Sequence, residues 1–160
     1  MTPQEQIVKP KRTRADVYNS RVQIRLALDE CGPQIAAILA ANKIEMPYAD
    51  FGKIFPHWLI ACDRDAMRGS NAEIVGCVMI LPAKPFGFVE FLLVKPSVSF
   101  KLRAIAVRKL CLQAAATLRV YGSSAVFCTV DDEHKKFADI LEKNGMVKVI
   151  SGNLMMKRLK

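Results

Sequence analysis

The sequence lacks the features that mark membrane and secreted proteins. No apolar run approaches the roughly 20 residues that a helix needs to cross a bilayer. The N-terminus is polar and basic, without the hydrophobic centre of a secretory signal. We therefore expect a soluble protein that is not secreted. With 160 residues, 51% of them apolar, the chain is long enough to bury a single core.

The cysteines lack any paired spacing. No C-x-x-C motif and no Cys/His pair is present, and the count of five is odd. We therefore expect no metal site and no disulfide framework. Apolar surroundings favour reduced thiols in the core for all five residues, which are Cys31, Cys62, Cys77, Cys111 and Cys128.

Acidic residues are missing from two long segments. None occurs between Glu90 and Asp131, and none follows Lys143, although the formal net charge of the chain is +9. A third basic cluster, Lys9–Arg14, lies near the N-terminus. Such clusters suit a phosphorylated cofactor, nucleic acid or an acidic protein surface, or else form a solvated surface that keeps the protein soluble. The segment between Glu90 and Asp131 holds Lys95, Lys101, Arg103, Arg108, Lys109 and Arg119.

Glycine is absent from a turn where a phosphate-binding loop would need it. The segment Val94–Ala104 follows an apolar run and leads into a helical pattern, so it presents backbone N–H groups at a helix N-terminus. Glycine would let a pyrophosphate approach that backbone closely. Ser99, Leu102 and Ala104 stand there instead.

The hydrophobic pattern predicts alternating strands and helices after a basic N-terminal arm, residues 1–20. One domain is expected over residues 21–160. The predicted strands are 21–28, 58–62, 74–81, 86–94, 124–130, 147–150 and 154–156, with strand 86–94 buried on both faces. The predicted helices are 32–43, 47–56, 100–121 and 131–143.

This order resembles the GNAT superfamily of N-acetyltransferases. The resemblance covers residues 21–160 and is carried by Phe91–Pro96, the helix ending at Tyr121–Gly122, the strand Ala125–Val130 and the segment Ile140–Met146. It implies an α/β fold with a mixed, mostly antiparallel central sheet of six to seven strands flanked by helices. It also implies that the fourth and fifth strands splay apart, that the pantetheine arm of acetyl-CoA lies between them, and that a Gln/Arg-x-x-Gly-x-Gly/Ala turn holds the pyrophosphate.

The resemblance places the cofactor-binding positions of the family on residues that depart from its pattern. Ser99 stands at the Gln/Arg position, Leu102 and Ala104 at the two glycines, His134 at a frequent Asn, and Leu141 at the tyrosine that protonates the departing thiolate. The full set of implied cofactor-binding residues is Leu92, Leu93, Val94, Ser99, Phe100, Lys101, Leu102, Arg103, Ala104 and His134.

Two interpretations of the altered turn follow. Either Lys101 and Arg103 bind the anion in place of bare backbone, or Phe100 and Leu102 fill the cofactor site; we favour the second. For catalysis, Glu90 is the single acid on the fourth predicted strand and the candidate base, although a carboxylate that balances neighbouring cations is the interpretation we favour.

Three functions are compatible with these residues. The first is an active N-acetyltransferase with acetyl-CoA as cofactor. The second, which we favour, is a GNAT-fold protein with a degraded acetyl-CoA loop and no cofactor, acting as a structural or docking component of an assembly. It resembles the small GNAT-like proteins encoded among virion genes of tailed bacteriophages, which implies a location in the virion rather than the cytoplasm. Its partners would be other proteins reached through the basic arm, or DNA. The third is a nucleic-acid-binding module, although aromatic residues for base stacking are not interleaved with its cations.

Overall fold

The computed structural model describes residues 20–44, 57–68, 71–130, 135–143, 145–148 and 154–158, which form a mixed α/β structure. Its helices are α1 (Gly32–Ala41), α2 (Phe100–Val120) and α3 (Lys135–Lys143), with a 3₁₀ turn at Asp29–Cys31. Its strands are β1 (Val22–Leu26), β2 (Trp58–Arg68), β3 (Asn71–Leu81), β4 (Phe86–Val94), β5 (Ala125–Thr129), β6 (Val147–Lys148) and β7 (Leu154–Arg158). The predicted arm, except for Ser20, and the predicted helix 47–56 lie outside the described residues.

The described strands form one sheet in the order β1-β2-β3-β4-β5-β7-β6. The pairs β1–β2, β2–β3 and β3–β4 are antiparallel, and so are the pairs β5–β7 and β7–β6. Strands β4 and β5 are parallel. The predicted mixed and mostly antiparallel sheet is therefore confirmed.

Helix α2 covers one face of the sheet through a stripe of residues spaced four apart. This spacing places the residues on one side of the helix, and all of them are buried: Leu102, Ala106, Leu110, Ala114 and Leu118. They pack in one core cluster with Val22, Leu59 and Val126. Helix α1 covers the opposite face, where Ile35 and Leu39 cluster with Trp58. The sheet is thus enclosed between helices over its first strands.

The ends of α2 agree with their residue types. Ser99 is the N-cap, and its hydroxyl accepts a hydrogen bond from the Leu102 N–H at 3.5 Å. Gly122 follows the helix with φ of +86°, a conformation that glycine adopts without strain. The backbone at both ends is therefore fixed by local chemistry.

The β2–β3 hairpin is longer than the prediction. Strand β2 continues beyond the predicted end at Cys62 through the charged residues Asp63, Arg64 and Asp65 and ends at Arg68. A part-buried ion pair supports this extension, because the Arg21 guanidinium binds the Asp63 carboxylate with both Nε (2.6 Å) and Nη2 (2.5 Å). Charged residues can extend a strand in this way when the ladder supplies the backbone hydrogen bonds.

The exposure of β4 differs from the prediction. Its continuous hydrophobicity predicted burial on both faces, yet Phe86 is 45% exposed and Phe88 is 37% exposed. Both rings point away from α2 and pack against Phe127 of β5, with ring centroids 5.3 Å and 5.8 Å away. The described helices leave this part of the sheet face uncovered, so hydrophobicity alone overestimated the burial.

The five thiols are free, and four of them are buried, as expected from their apolar surroundings; Cys111 is half-buried. The described residues contain no group of three or more His, Cys, Asp or Glu residues that could hold a metal ion. Among the described helices, none is both long and apolar enough to cross a membrane.

Candidate functional site

The parallel pairing of β4 and β5 stops halfway along β4. The register runs from Phe86 opposite Ala125 to Val89 opposite Cys128. One position further, the Thr129 hydroxyl donates a 2.7 Å hydrogen bond to Glu90 Oε2. β5 ends at Thr129, so among the described residues no strand pairs with the second half of β4 on this side, and the splay that the resemblance implied stays a prediction.

A β-bulge in β4 lies just beyond the segment that pairs with β5. Cys77 of β3 is opposite Leu93 and Met79 is opposite Glu90, so β4 holds one extra residue there. Phe91 adopts φ of +51°, which is uncommon for a bulky residue. The bulge turns the second half of β4 away from the direction of the first.

A glycine on β3 allows the backbone of β4 to approach closely behind the bulge. A Cβ at Gly76 would lie 2.9 Å from the Leu93 carbonyl oxygen and 2.9 Å from Val94 Cγ1. Backbone cannot yield to such a contact without shifting the strand. Gly76 therefore helps to set the position of Leu93 and Val94.

The register shows which backbone groups of β4 face away from β3. The Lys95 N–H donates to the Val75 oxygen at 2.8 Å, so the backbone groups of Lys95 face β3 and those of Val94 and Leu92 face away from it. Asn42, which follows α1, donates from Nδ2 to the Val94 oxygen at 3.2 Å. Of the predicted pantetheine-binding residues, Leu92 and Val94 thus face away from β3 and Leu93 faces β3, while the Val94 carbonyl already accepts the hydrogen bond from Asn42.

The N-terminus of α2 lies at the end of the segment that follows β4. Phe100 is 77% exposed, and Leu102 is 4% exposed and belongs to the core cluster beneath the sheet. The structure therefore does not support the expectation that these two side chains fill a cofactor site. The leucine at the first glycine position directs its carbon atoms into the core because it begins the buried stripe of α2.

The cations at this helix end differ in their surroundings. Lys95 forms a 2.6 Å ion pair with Glu73, whereas Lys101 is exposed. The Nε of Arg103 is shielded from solvent and has no hydrogen-bond acceptor among the described residues. The N–H groups of Phe100 and Lys101 lack intrahelical acceptors by helix geometry. This arrangement suits an anion, with Ala104 exposed on the same turn.

The position expected for the general acid is apolar. Leu141 of α3 is 8% exposed and clusters with Cys128, Val130 and Met155, and Val89 packs against this cluster. The nearby Cys128 thiol keeps its proton, because burial raises its pKa from the ordinary 9.0 to about 12. A thiol this weakly acidic is a poor proton donor to a thiolate.

Most predicted site residues lie on the second half of β4, as Glu90, Leu92 and Val94 do, or at the N-terminus of α2, which follows β4 in the chain. His134 lies outside the described residues. Sequence reasoning missed Thr129, which binds Glu90, and Asn42, which binds the Val94 oxygen. No periodicity marks either residue, because both act through contacts between distant parts of the chain.

Comparison with known proteins shows the fold. No known protein family and no curated protein matches the sequence. Ard1 from Thermoplasma volcanium superposes with a TM-score of 0.70 at 12% identity, covering 88% of this chain and 99% of that one. The GNAT N-acetyltransferase YhbS of Escherichia coli, in complex with CoA, superposes with a TM-score of 0.64 at 16% identity, covering 88% and 82%.

A longer protein contains the same fold as one part. N-acetylglutamate synthase from Neisseria gonorrhoeae, complexed with coenzyme A and L-arginine, superposes with a TM-score of 0.67 at 16% identity. The match covers 86% of this chain but 33% of the synthase. These similarities define the fold as that of the GNAT acetyltransferases.

The residues present fit the phosphate end of acetyl-CoA better than its reactive end. The shielded Arg103 Nε and the start of α2 suit a phosphate, and the backbone groups of Leu92 and Val94 face away from β3. At the reactive end, Leu141 provides no proton donor, and Glu90 already accepts a hydrogen bond from Thr129.

Proposed function

We propose that this protein is a non-catalytic GNAT-fold protein that acts as a docking component of a larger assembly. The observation that carries the proposal is the environment of Leu141. An acetyl transfer that expels a thiolate gains on the order of a hundredfold or more from a positioned acid. The apolar cluster around Leu141 offers no such group, and the pKa of Cys128 keeps that thiol a weak acid.

The charge of the chain supports the docking role. The described part of α2 carries five cations and no acid on its 21 residues. Together with the basic cluster Lys9–Arg14, this surface suits an acidic protein or DNA inside a particle. We therefore propose a bacteriophage virion as the assembly, with other virion proteins as partners of the arm.

Calorimetric titration with acetyl-CoA tests the proposal. We expect dissociation constants weaker than about 1 mM, corresponding to a binding free energy smaller than about 4 kcal/mol. Adenosine 3′,5′-bisphosphate serves as a control, since it carries phosphates without the pantetheine arm. Micromolar binding of acetyl-CoA, together with weak binding of the control, would show that the chain accepts pantetheine and would contradict the proposal.

A second candidate function is an acetyl-CoA-dependent N-acetyltransferase. The shielded Arg103 Nε favours it, because a buried guanidinium nitrogen without an acceptor suits a ligand phosphate. Acetyl-CoA would supply the activated acetyl group. Arg103 and Lys101 would hold its phosphates, Leu92 and Val94 would orient the pantetheine, and Glu90 would take the proton of the acceptor amine.

Paired variants distinguish the two candidates. If the chain is an acetyltransferase, Arg103→Ala should weaken acetyl-CoA binding about tenfold or more, since a charge-assisted hydrogen bond contributes roughly 1.5 to 3 kcal/mol. Glu90→Gln should then reduce the release of CoA with an amine acceptor but leave binding unchanged. Under the docking proposal, neither wild type nor variant binds the cofactor or releases CoA.

A further inference from the structure

Strand β1 leaves one edge without a neighbouring strand in the described part of the sheet. The Ala27 N–H donates to the Trp58 oxygen at 2.8 Å, and pairing alternates along an antiparallel ladder. The backbone groups of Val22, Ile24 and Leu26 therefore point away from β2. An edge with outward N–H and C=O groups is a template for another strand.

An open groove of about 620 Å³ runs along this edge, between β1 and α2. Ile24 contributes from the strand, and Leu112 contributes from the helix. Leu112 is 60% exposed, which is unusual for a leucine on a helix whose stripe of core residues is fully covered. The groove thus joins an open strand edge to an apolar contact point.

The groove is basic. Its lining includes Arg64 and Lys109, and none of its described lining residues is acidic. Lys109 donates from Nζ to the Val22 oxygen at 2.7 Å, and Arg64 donates from Nε to Gln23 Oε1 at 3.2 Å. These bonds hold both cations beside the open edge, where they would meet the side chains of an added strand.

We propose that this groove binds an acidic, extended peptide segment of another protein, which adds a strand to β1. Backbone pairing at Ile24 and Leu26 would supply affinity, while carboxylates at alternate positions would meet Arg64 and Lys109. Pairing would also enclose apolar side chains of the peptide against Leu112.

Charge decides between this occupant and two others. A second copy of the chain would bring its own Arg64 and Lys109 into the same space, which is repulsive. Residues 1–19 hold four cations and two acids, a net charge of +2, so the arm is not complementary either. An acidic partner satisfies the groove without such repulsion.

Fluorescence anisotropy with the full chain tests the proposal. The probe is a labelled peptide of about ten residues that alternates glutamate with valine, a pattern that places its carboxylates on one face. We expect saturable binding that weakens about tenfold in Arg64→Glu and in Lys109→Glu. Arg108→Glu, with the same charge change on an exposed position of α2 outside the groove, should weaken binding less than about threefold.

Any of five outcomes would overturn the proposal. Undiminished binding of a peptide methylated on alternate backbone nitrogens would exclude strand addition. If Arg108→Glu weakened peptide binding as much as Arg64→Glu does, or if single-stranded DNA of similar length displaced the peptide, the protein surface would be attracting polyanions without specificity. If a synthetic peptide of residues 1–19 displaced the labelled peptide, the occupant of the groove would be the arm. If sedimentation showed dimers that Arg64→Glu abolishes, the occupant would be a second copy of the chain. Circular dichroism of each variant confirms that loss of binding does not reflect unfolding.

Discussion

Two leucines stand where the resemblance implies other residues, and their surroundings differ. Leu102 stands at the implied first glycine, and its side chain is buried in the core beneath α2. Leu141 stands at the implied tyrosine, in an apolar cluster with Cys128 and Met155. The packing of α2 on the sheet accounts for the first leucine, and the packing of α3 against β5 and β7 accounts for the second.

The buried thiols predict a loss of stability at alkaline pH. Burial raises the pKa of Cys77 to about 12 from 9.0, so the folded thiol keeps a proton that the unfolded thiol loses. The stabilisation is complete below pH 9.0 and falls as pH rises towards 12, by about 1 kcal/mol per pH unit for each such thiol. Urea unfolding between about pH 9 and about pH 11 should show a shallower decline for Cys77→Ala than for wild type.

Cys111→Ala is the matched control for this measurement, since Cys111 is half-buried. Its alkaline decline should differ from that of wild type less than the decline of Cys77→Ala does. Equal slopes for Cys77→Ala and wild type would show that Cys77 does not contribute to the pH dependence.

At the residue scale, the sequence predicted burial better than it predicted contacts. Apolar neighbours were enough to place four of the five thiols in the core. The bond between Thr129 and Glu90 joins residues 39 positions apart, and the bond between Asn42 and Val94 joins residues 52 positions apart. Local patterns hold no information about such pairs, which depend on the register of the sheet.

At the element scale, helix α2 organises the core, and its periodicity made it the best-predicted element. The prediction of residues 100–121 differs from the observed Phe100–Val120 by one residue. Strand β4 was also predicted with its observed limits, Phe86–Val94. Its bulge was not predicted, because the extra residue results from Gly76 and the register with β3 rather than from the pattern of β4.

Two leucines of α2 give a paired test of this packing. Leu110 is fully buried at the centre of the stripe, and Leu112 is exposed on the groove side. Leu110→Ala should lower the free energy of unfolding by about 3 kcal/mol, through lost burial and the cavity that it leaves. Leu112→Ala should lower it by less than about 0.5 kcal/mol. Urea unfolding monitored by circular dichroism measures both; similar losses would contradict the assigned orientation of α2.

At the scale of the whole molecule, the net charge of +9 favours anionic partners of more than one kind. The docking proposal and the nucleic-acid alternative differ in which cations they use. The arm is the segment in which the two can be separated, because its basic cluster is compact in sequence and far along the chain from the groove cations Arg64 and Lys109.

Salt dependence of DNA binding measures the contribution of the arm. If the arm contacts phosphates, replacing Lys9, Lys11, Arg12 and Arg14 with glutamine should reduce the slope of log K against log salt by up to about 3.5, since each neutralised phosphate contributes about 0.9. A variant with Glu5→Gln and Asp16→Gln changes the same segment without removing a cation and should retain the slope. An unchanged slope in the first variant would assign DNA binding to another surface.

The parallel pairing of β4 with β5 has a consequence for how the chain folds. Strands β1 to β4 form a meander with antiparallel neighbours, and β5, β7 and β6 form a second antiparallel unit. Between them lies a seam of four paired positions, Phe86–Val89 with Ala125–Cys128, and closing it requires the whole of α2 to cross over. The partners in the seam lie 39 positions apart in the chain (125 minus 86), about as far as Val22 and Asp63 of the β1–β2 pair, which lie 41 apart (63 minus 22). Both pairings therefore carry a similar loop-closure entropy, and we expect both to form late in folding, after the shorter β2–β3 and β3–β4 hairpins.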